Sequence, residues 1–557
     1  MQPGDSVVRS GFKQRLLFHI NNNAIFTKLL TCHGFHPDYY NQINMAKLTY
    51  LIVFLFWMSA GFVYGQDGSK SNTSTTEAKF KESWESLSAN EREPEWFKDA
   101  KFGIYFHWGV YSVPAYDNEW YGRWMYVPGR KAWGGTVFDY HRKTYGPLSE
   151  FNYHDFIPMF KAEHFDAKEW ANLFEKAGAR FAGPVAEHHD GFAMWASKVN
   201  PWNARDMGPK KDVLGELYAE LKKKKLKTIA TFHHERLVQR YAKDTAAWAQ
   251  NTPDPGWDSH FPYHPDYVTS STDPKLRLLY GNIPENEFYD YWLNQINEVV
   301  DTYAPDIIWH DSWLDKVPEN YRLKMVAHHF NKGASRGQKP IVAYKQEDLP
   351  ANVGMLDMEQ GGKTALSEDY WLTDITISYG SWCYTNGQTY KTPDLIIRNM
   401  IDVWSKRGIV LLNISPRADG SIPDEQRNVL ASIGRWMEKH KEAVYETRAY
   451  STFGYGEAKF KKGDFGGQAA TTAYNENDVR FTTSKDKKRL YVYVLGLPAP
   501  NSDLEIKTAM ESKIKRVSVV GSKVKLKWSL KDKKLTIKTP EALDMDELAT
   551  VFRIDFK

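Results

Sequence analysis

Cysteine is almost missing from this chain, which has only Cys32 and Cys383 among its 557 residues. Cys32 lies upstream of the export signal described below, so the mature chain would keep a single thiol. One cysteine can form neither an internal disulfide framework nor a cysteine-based metal site. The fold must therefore be stabilised by its core.

Charge of one sign is not in excess either. The chain has 73 Lys and Arg residues against 69 Asp and Glu residues, which gives a formal net charge of +4 at pH 7. Lysines cluster at 222–225 and again after Lys461, but no long basic stripe alternates with aromatic residues. Nucleic acid is therefore not expected as a partner.

Long hydrophobic runs are absent except near the amino terminus. Met45 and Lys47 precede a mostly apolar run over 51–63, and the small residues Val63 and Gly65 stand where a signal peptidase reads. The run is short for a membrane span. It predicts an exported protein, periplasmic or extracellular, with no membrane span in the mature chain.

This signal divides the first part of the chain into three predicted segments. Residues 1–44 would be upstream sequence from a start codon assigned too early, and 45–65 would be the signal peptide. Residues 66–90 are interpreted as a flexible leader, because 66–78 is rich in Ser, Thr and Asn.

Aromatic residues, by contrast, are abundant. They make up 15% of the chain and include 20 Trp and 32 Tyr residues. Trp and Tyr present flat apolar faces with a polar edge. This suits sugars, which have apolar ring faces and hydroxyl rims, although large aromatic cores would have the same composition.

Between residues 91 and 445, strand-like runs alternate with amphipathic helices. The helices have recognisable ends: Asp166 and Glu169 have capping-box spacing, Pro393 suits a first turn, and Gly408 follows a helix end. Most of the strand runs are continuously apolar, as in strands buried on both faces. Repeated strand–helix units predict a (β/α)8 TIM-like barrel. The runs lie at 102–108, 180–190, 227–235, 306–313, 341–347, 355–361 and 408–416, with an eighth near 372–379.

After Val444 the pattern changes to short alternating runs separated by turns. This predicts a C-terminal antiparallel β-sandwich over 446–557. The runs lie at 489–497, 514–521, 523–530, 534–539 and 550–556.

Ionisable residues gather at the carboxyl ends of the predicted barrel strands, where the active sites of such barrels lie. Two chemistries fit: glycoside hydrolysis, which uses a pair of carboxylates, and metal-assisted hydrolysis, which uses His and Asp ligands. Neighbours on a strand point to opposite faces, so two adjacent histidines can share a ligand only where the strand ends. The strand-end residues are His107, His188, His189, Asp190, His233, His234, Glu235, His310, Asp311, Lys345 and Glu359.

Six blocks follow one another through the predicted barrel: WFKDAKFGIYFHWGVYSVPAYDNEWYGRWMY, EHHDGFAMW, GPKKDVLGEL, DIIWHDSW, YWLTDITISYGSWCY and GIVLLNISPRADGSIP. In this order they resemble the motifs of glycoside hydrolase family 29, the α-L-fucosidases, over about 96–447. The resemblance implies an exo-acting, retaining enzyme that removes terminal α-L-fucosyl residues from glycans without a cofactor or metal. The expected partner is a fucosylated oligosaccharide or polysaccharide, with fucan-type polymers left open.

The resemblance also implies residue roles. Asp311, at the end of the fourth strand, would be the nucleophile, and Glu359 the general acid/base. Glu368 is the runner-up, but its loop lies nearer the rim, and a solvated carboxyl is mostly ionised at neutral pH. The predicted sugar-binding residues, of which His233 and Lys345 are included for their strand-end positions, are His107, Trp120, His188, His189, His233, Lys345 and Trp382.

Three strand ends depart from the family pattern, at four residues. Glu187 stands where many relatives carry lysine, His233 and His234 where they often carry tyrosine and serine, and Gln360 where they often carry arginine. Two alternatives stay open: a metal-dependent barrel hydrolase, which a chelator would inactivate, and a fucose-binding protein without activity, against which both candidate carboxylates argue. The sequence has no signal for four properties: the linkage cleaved, tolerance of sulfated fucose, the role of the sandwich and the oligomeric state.

Overall fold

Eight parallel strands close into a barrel within the part of the chain that this computed structural model describes. The described residues are 78–129, 131–132, 135–239, 259–458, 471–510 and 512–557. The predicted upstream segment, the signal peptide and residues 66–77 of the leader lie outside them. In chain order the strands are β1 (Phe102–Phe106), β2 (Phe181–Glu187), β3 (Lys227–Phe232), β4 (Ile307–His310), β5 (Ile341–Lys345), β6 (Met355–Asp357), β7 (Trp371–Thr376) and β8 (Gly408–Ile414).

Each strand pairs with its neighbours in chain order, and β8 closes the barrel on β1, with Phe106 opposite Ile414. Seven strands fall within predicted runs and β7 begins one residue before its run, so the predicted barrel is confirmed. Several runs were predicted too long, because the strands stop at the first polar residue of the polar end: β2 ends at Glu187 and β4 at His310. The polar side chains that follow therefore lie where the backbone leaves the sheet.

Apolar side chains from all eight strands fill the barrel interior. The short helix Glu95–Ala100 adds Phe97 and Ala100 to this core at the amino-terminal end. The barrel is thus packed below and can open only at its carboxyl end. The buried interior residues are Phe97, Ala100, Tyr105, Phe181, Val185, Ile229, Ile307, Trp309, Ile341, Ala343, Met355, Leu372, Trp382, Ile409 and Leu411.

Amphipathic helices alternate with the strands. The Asp166 side chain caps its helix by accepting from the backbone nitrogens of Lys168 and Glu169, while the Glu169 carboxylate pairs with Arg427 instead of completing a capping box. In the described ranges no helix is both long and apolar enough to span a membrane. The main helices are Val137–Thr144, Ala167–Lys176, Val213–Lys223, Glu285–Tyr303, Glu319–Ser335, Pro393–Ser405 and Asp424–Lys439, and shorter ones are Trp84–Leu87, Tyr121–Trp124, Leu276–Leu279 and Lys441–Val444.

The C-terminal part is a β-sandwich, as predicted. A five-stranded sheet, in the order β9-β10-β11-β16-β13, shares one apolar core with a three-stranded sheet in the order β12-β15-β14. Three strands were missed because they are short, exposed or rich in Thr and Ser, namely β9, β10 and β12. The strands are β9 (Thr447–Tyr455), β10 (Val479–Ser484), β11 (Arg489–Val494), β12 (Asp503–Ile506), β13 (Ile514–Val519), β14 (Trp528–Lys531), β15 (Lys534–Lys538) and β16 (Thr550–Phe556).

A buried ion cluster joins the sandwich to the barrel. Asp402, on the helix Pro393–Ser405, lies 2.5 Å from Arg480 Nε of β10 and 2.7 Å from Lys406 Nζ. All three side chains are at most 4% exposed. On the same helix, Arg398 donates to three backbone carbonyls of the C-terminal part. Two cations thus depend on one buried carboxylate.

We expect Asp402→Asn to destabilise the protein by about 3–5 kcal/mol, because it removes the buried negative charge that both buried cations contact. Urea unfolding followed by tryptophan fluorescence measures this loss. Glu438→Gln is the control: its pair with Lys441 is more than half exposed on both sides and should contribute less than about 1 kcal/mol. Equal, small losses in the two variants would contradict the prediction.

Candidate active site

A cavity of about 440 Å³ opens at the carboxyl ends of the barrel strands. Of the predicted site residues, the structure places all but Glu368 in its wall. Glu368 is exposed on the loop before β7 and is not among the lining residues. The predicted residues that line the cavity are His107, Trp120, His188, His189, His233, Asp311, Lys345, Glu359 and Trp382.

Asp311 is the first residue after β4. Its backbone N–H donates to the carbonyl of Phe232 on β3, at 3.0 Å, so the strand pairing continues one residue beyond the end of β4. Asp311 Oδ1 lies 3.0 Å from Lys345 Nζ. Burial alone would raise the pKa of Asp311, but the Lys345 ammonium together with the neighbouring His189 and His233 outweighs burial, and the pKa lies well below the usual range. Asp311 is therefore a carboxylate at neutral pH.

Glu359 lies two residues beyond β6, on backbone that stays hydrogen-bonded to β7. The N–H of Met358 donates to Leu372 O, and the N–H of Gln360 donates to Asp374 O. The Glu359 carboxyl is thus held at a fixed place, with Oε2 2.8 Å from Lys345 Nζ. Burial, with the charges of Asp374 and Asp311, raises its pKa even though Lys345 lowers it. A raised pKa is what a general acid needs.

The two candidate carboxyls share the Lys345 ammonium. Because Asp311 Oδ1 lies 3.0 Å and Glu359 Oε2 2.8 Å from the same nitrogen, these two oxygens can be no more than about 6 Å apart. Retaining glycosidases hold their carboxyls about 5–5.5 Å apart, whereas inverting ones need about 6.5–9.5 Å. The spacing therefore favours the retaining arrangement.

A third carboxylate completes the surroundings of Lys345. Asp374 Oδ2, on β7, lies 3.5 Å from Lys345 Nζ and accepts a hydrogen bond from the Tyr105 hydroxyl at 2.9 Å. Below it, Asp357 accepts from Trp309 Nε1, and burial and the Asp374 charge hold the pKa of Asp357 well above its usual range. Sequence reasoning missed Asp374, although a lone charge within the apolar run of β7 was a usable signal.

Two histidines have their tautomers set by fixed acceptors. Asn413 donates its amide to the carbonyl of Trp382, so its Oδ1 must be the acceptor that faces His107 Nδ1 at 2.8 Å. His189 Nδ1 faces the backbone carbonyl of His233. In each neutral ring the proton is on Nδ1, and Nε2 presents a lone pair. Burial lowers the pKa of both, that of His189 to about 4.

The four polar residues 187–190, which include the histidine pair, do not all face the cavity. His188 and His189 line the cavity, whereas Asp190 accepts from the Tyr153 hydroxyl at 2.6 Å and from the Phe192 N–H. Glu187 is fully buried and does not line the cavity, and burial raises its pKa far above the usual range. Only the middle two residues of this run face the site.

Aromatic rings form the walls. The ring of Trp120 lies 4.8 Å from that of His189, and the ring of Trp382 lies 5.3 Å from that of His107. The Trp382 backbone N–H donates to Glu119 Oε2 at 3.1 Å, and burial raises the pKa of Glu119 to about 7. Sequence reasoning did not single out Glu119, although it directly precedes Trp120. The other lining residues that were missed are Asn118, Trp124, Arg236, Ser312, Trp313 and Gly380.

Comparisons with known proteins show the family of this chain. The alpha-L-fucosidase family model matches residues 68–442, and the alpha-L-fucosidase C-terminal domain model matches 473–555. Tissue alpha-L-fucosidase of Rattus norvegicus is 29% identical over 66% of this chain and 72% of its own length. Tissue alpha-L-fucosidase of Homo sapiens is 28% identical over 82% of this chain and 87% of its own length.

Solved structures show the same likeness. The crystal structure of Thermotoga maritima alpha-fucosidase in complex with a mechanism-based inhibitor superposes with a TM-score of 0.66, at 27% identity. That match covers 86% of this chain and all of the other chain. The family model spans most of the chain and both parts of the fold are accounted for, so this protein belongs to glycoside hydrolase family 29, the α-L-fucosidases.

Proposed function

We propose that this α-L-fucosidase is an exported, exo-acting enzyme that removes terminal α-L-fucosyl residues with retention of configuration. The observation that carries the mechanism is the pair Asp311 and Glu359 bridged by Lys345, with a spacing suited to a covalent intermediate. The cavity ends on the packed barrel interior, which suits a terminal sugar better than a chain passing through. Export is supported by the signal-like segment 45–65.

In the first step a carboxylate oxygen of Asp311 attacks the anomeric carbon of fucose. The bond from that carbon to the glycosidic oxygen breaks, and Glu359 transfers its proton to the departing oxygen. The products are a fucosyl ester on Asp311, an ionised Glu359 and the free aglycone alcohol. The low pKa of Asp311 keeps this group ionised, and the raised pKa of Glu359 favours the protonated form that this step requires.

In the second step Glu359 acts as the base. It takes a proton from water while the water oxygen bonds to the anomeric carbon, and the bond to Asp311 breaks. Two inversions give net retention, and both carboxyls return to their starting states.

The sugar is held by acceptors as well as by aromatic walls. His107 and His189 present Nε2 lone pairs, so fucose hydroxyls donate to these rings. Trp382 lies beside His107 and offers an apolar face for the methyl group of fucose. The substrate class that fits is a fucosylated oligosaccharide or polysaccharide.

The nucleophile is tested by Asp311→Gly. Turnover should fall by several orders of magnitude because covalent catalysis is lost. Added azide should restore part of the rate and yield a β-fucosyl azide, which NMR of the product identifies. Asp315→Gly, at an exposed carboxylate paired with Lys316, is the control and should keep normal turnover. Near-normal activity of Asp311→Gly would overturn the role.

The acid is tested by comparing Glu359→Gln with Glu368→Gln on two substrates. Loss of the acid should slow a natural fucosyl-galactoside by about 10²–10⁴-fold, and a dinitrophenyl fucoside, which departs without protonation, far less. We expect this split for Glu359→Gln only, because Glu368 is exposed outside the cavity. If Glu368→Gln shows the split instead, the loop glutamate is the acid.

The role of Lys345 is tested through the pH profile of kcat/KM. Lys345→Met removes the cation that lowers the pKa of Asp311, so the acid limb of the profile should move up by about 1–3 pH units. The Lys345 ammonium stabilises the ionised form of Asp311 above the ordinary pKa of aspartate. This stabilisation is lost as the pH falls through the lowered pKa of Asp311. Lys391→Met, at a buried lysine bonded to Thr376 O, is the control. An unmoved acid limb in Lys345→Met would contradict this role.

A further inference from the structure

Three potential metal-ligand atoms, one of them on the candidate nucleophile Asp311, lie close together in the cavity. His189 Nε2 lies 3.3 Å from Asp311 Oδ2, and His233 Nδ1 lies 3.6 Å from the same oxygen. The three atoms are all within 4.8 Å of one another, and all three residues are buried. Lys345 Nζ contacts the other carboxylate oxygen of Asp311, Oδ1. The Oδ2 atom is therefore the one beside the two histidine rings.

The contact between His189 and Asp311 is poorly matched in hydrogen bonding. Since His189 Nδ1 faces a backbone carbonyl, its proton is on that nitrogen, and Nε2 of the neutral ring has only a lone pair. This nitrogen lies 3.3 Å from a carboxylate oxygen, which is also an acceptor. Two acceptors at this distance repel unless a cation or a hydroxyl donor lies between them. A fucose hydroxyl can lie there in the substrate complex, and a water molecule or a cation can lie there in the free enzyme.

The distances suit a tetrahedral metal ion. Bonds of about 2.0–2.2 Å from Zn²⁺ to His nitrogen and Asp oxygen put neighbouring ligand atoms about 3.3 Å apart. The two spacings from Asp311 Oδ2, 3.3 and 3.6 Å, are close to this value, and the third pair of atoms lies within 4.8 Å. The His189 Nδ1–H bond to a backbone carbonyl is also the usual outer-shell bond of a metal-binding histidine. Two imidazoles and one carboxylate suit Zn²⁺, Co²⁺ or Cu²⁺ better than Mg²⁺ or Ca²⁺.

We propose that His189, His233 and Asp311 bind a first-row divalent cation such as Zn²⁺ in the sugar-free enzyme, and that this exchangeable ion is an inhibitor and not a cofactor. The ion would occupy Oδ2 of the nucleophile and part of the fucose site. His233, the first residue after β3, completes the site. Ion binding is independent of the proposed function; only the inhibition rests on it.

Co²⁺ is the probe for binding. Wild-type enzyme is dialysed against EDTA, freed of chelator and titrated with Co²⁺, whose visible absorption reports tetrahedral coordination. One equivalent should bind, and one equivalent of Zn²⁺ should displace it. Fucose should also displace it, since both occupy the same cavity. Absence of stoichiometric Co²⁺ binding by the wild type would overturn the proposal without touching the proposed function.

Variants locate the ion. His233→Phe and Asp311→Asn should each weaken Co²⁺ binding by at least about 100-fold, more than loss of an outer-shell partner would. His328→Gln, at a part-exposed histidine 3.0 Å from Asp301, controls for surface binding and should bind as wild type does. His188→Gln distinguishes the neighbouring group His107, His188 and His233. Loss of binding in His188→Gln with retention in Asp311→Asn would place the ion there and overturn the proposal.

Inhibition is measured on the wild type. Zn²⁺ should inhibit fucoside hydrolysis competitively, and EDTA should restore full activity. An enzyme that binds Co²⁺ as described but is not inhibited by Zn²⁺ would overturn the inhibitory part. Inactivation of the enzyme by EDTA would also overturn the inhibitory part, because the ion would then be needed for activity.

Discussion

The Lys345 ammonium is the interaction on which the site depends. It lies within 3.0 Å of both candidate catalytic carboxyls and 3.5 Å from a third, Asp374. In the proposed cycle Asp311 loses its charge when the ester forms, at the moment when Glu359 gains one. The number of negative charges around Lys345 is therefore constant. The lysine need not move or change protonation, because the charge passes between two groups that it already contacts.

This arrangement requires a rigid frame, and the barrel supplies it through backbone pairing that runs past the strand ends. Asp311 is tied to β3 by its own N–H, and the residues on either side of Glu359 are tied to β7. Tyr105 and Trp309, from the packed interior, hold Asp374 and Asp357 from below. The charged cluster thus rests on a floor of buried aromatic donors. Preorganised charges of this kind cost little reorganisation during the reaction.

The parts of this picture that the sequence predicts are those with a local signal. Continuous apolar runs mark the barrel strands, and polar residues at the ends of the runs mark Asp311, Lys345 and the histidines. Asp374 was missed because it lies inside a strand, where its importance comes from Lys345 on a neighbour two strands away. The tautomer of His107 is equally invisible, because it depends on Asn413, more than 300 residues along the chain. Strand β9 was missed because half-exposed polar strands have no clear alternation.

The position of the buried Asp402 cluster has a consequence for how this protein can be divided. Asp402 and Arg398 are on the helix Pro393–Ser405, which leads from β7 into β8, and β8 carries the Asn413 that orients His107. The C-terminal sheets therefore brace a barrel element that belongs to the site itself. Removing these sheets would therefore also disturb the barrel. Transplanting this barrel into a fusion enzyme, or exchanging its C-terminal module for another, would also require redesigning the outer face of that helix.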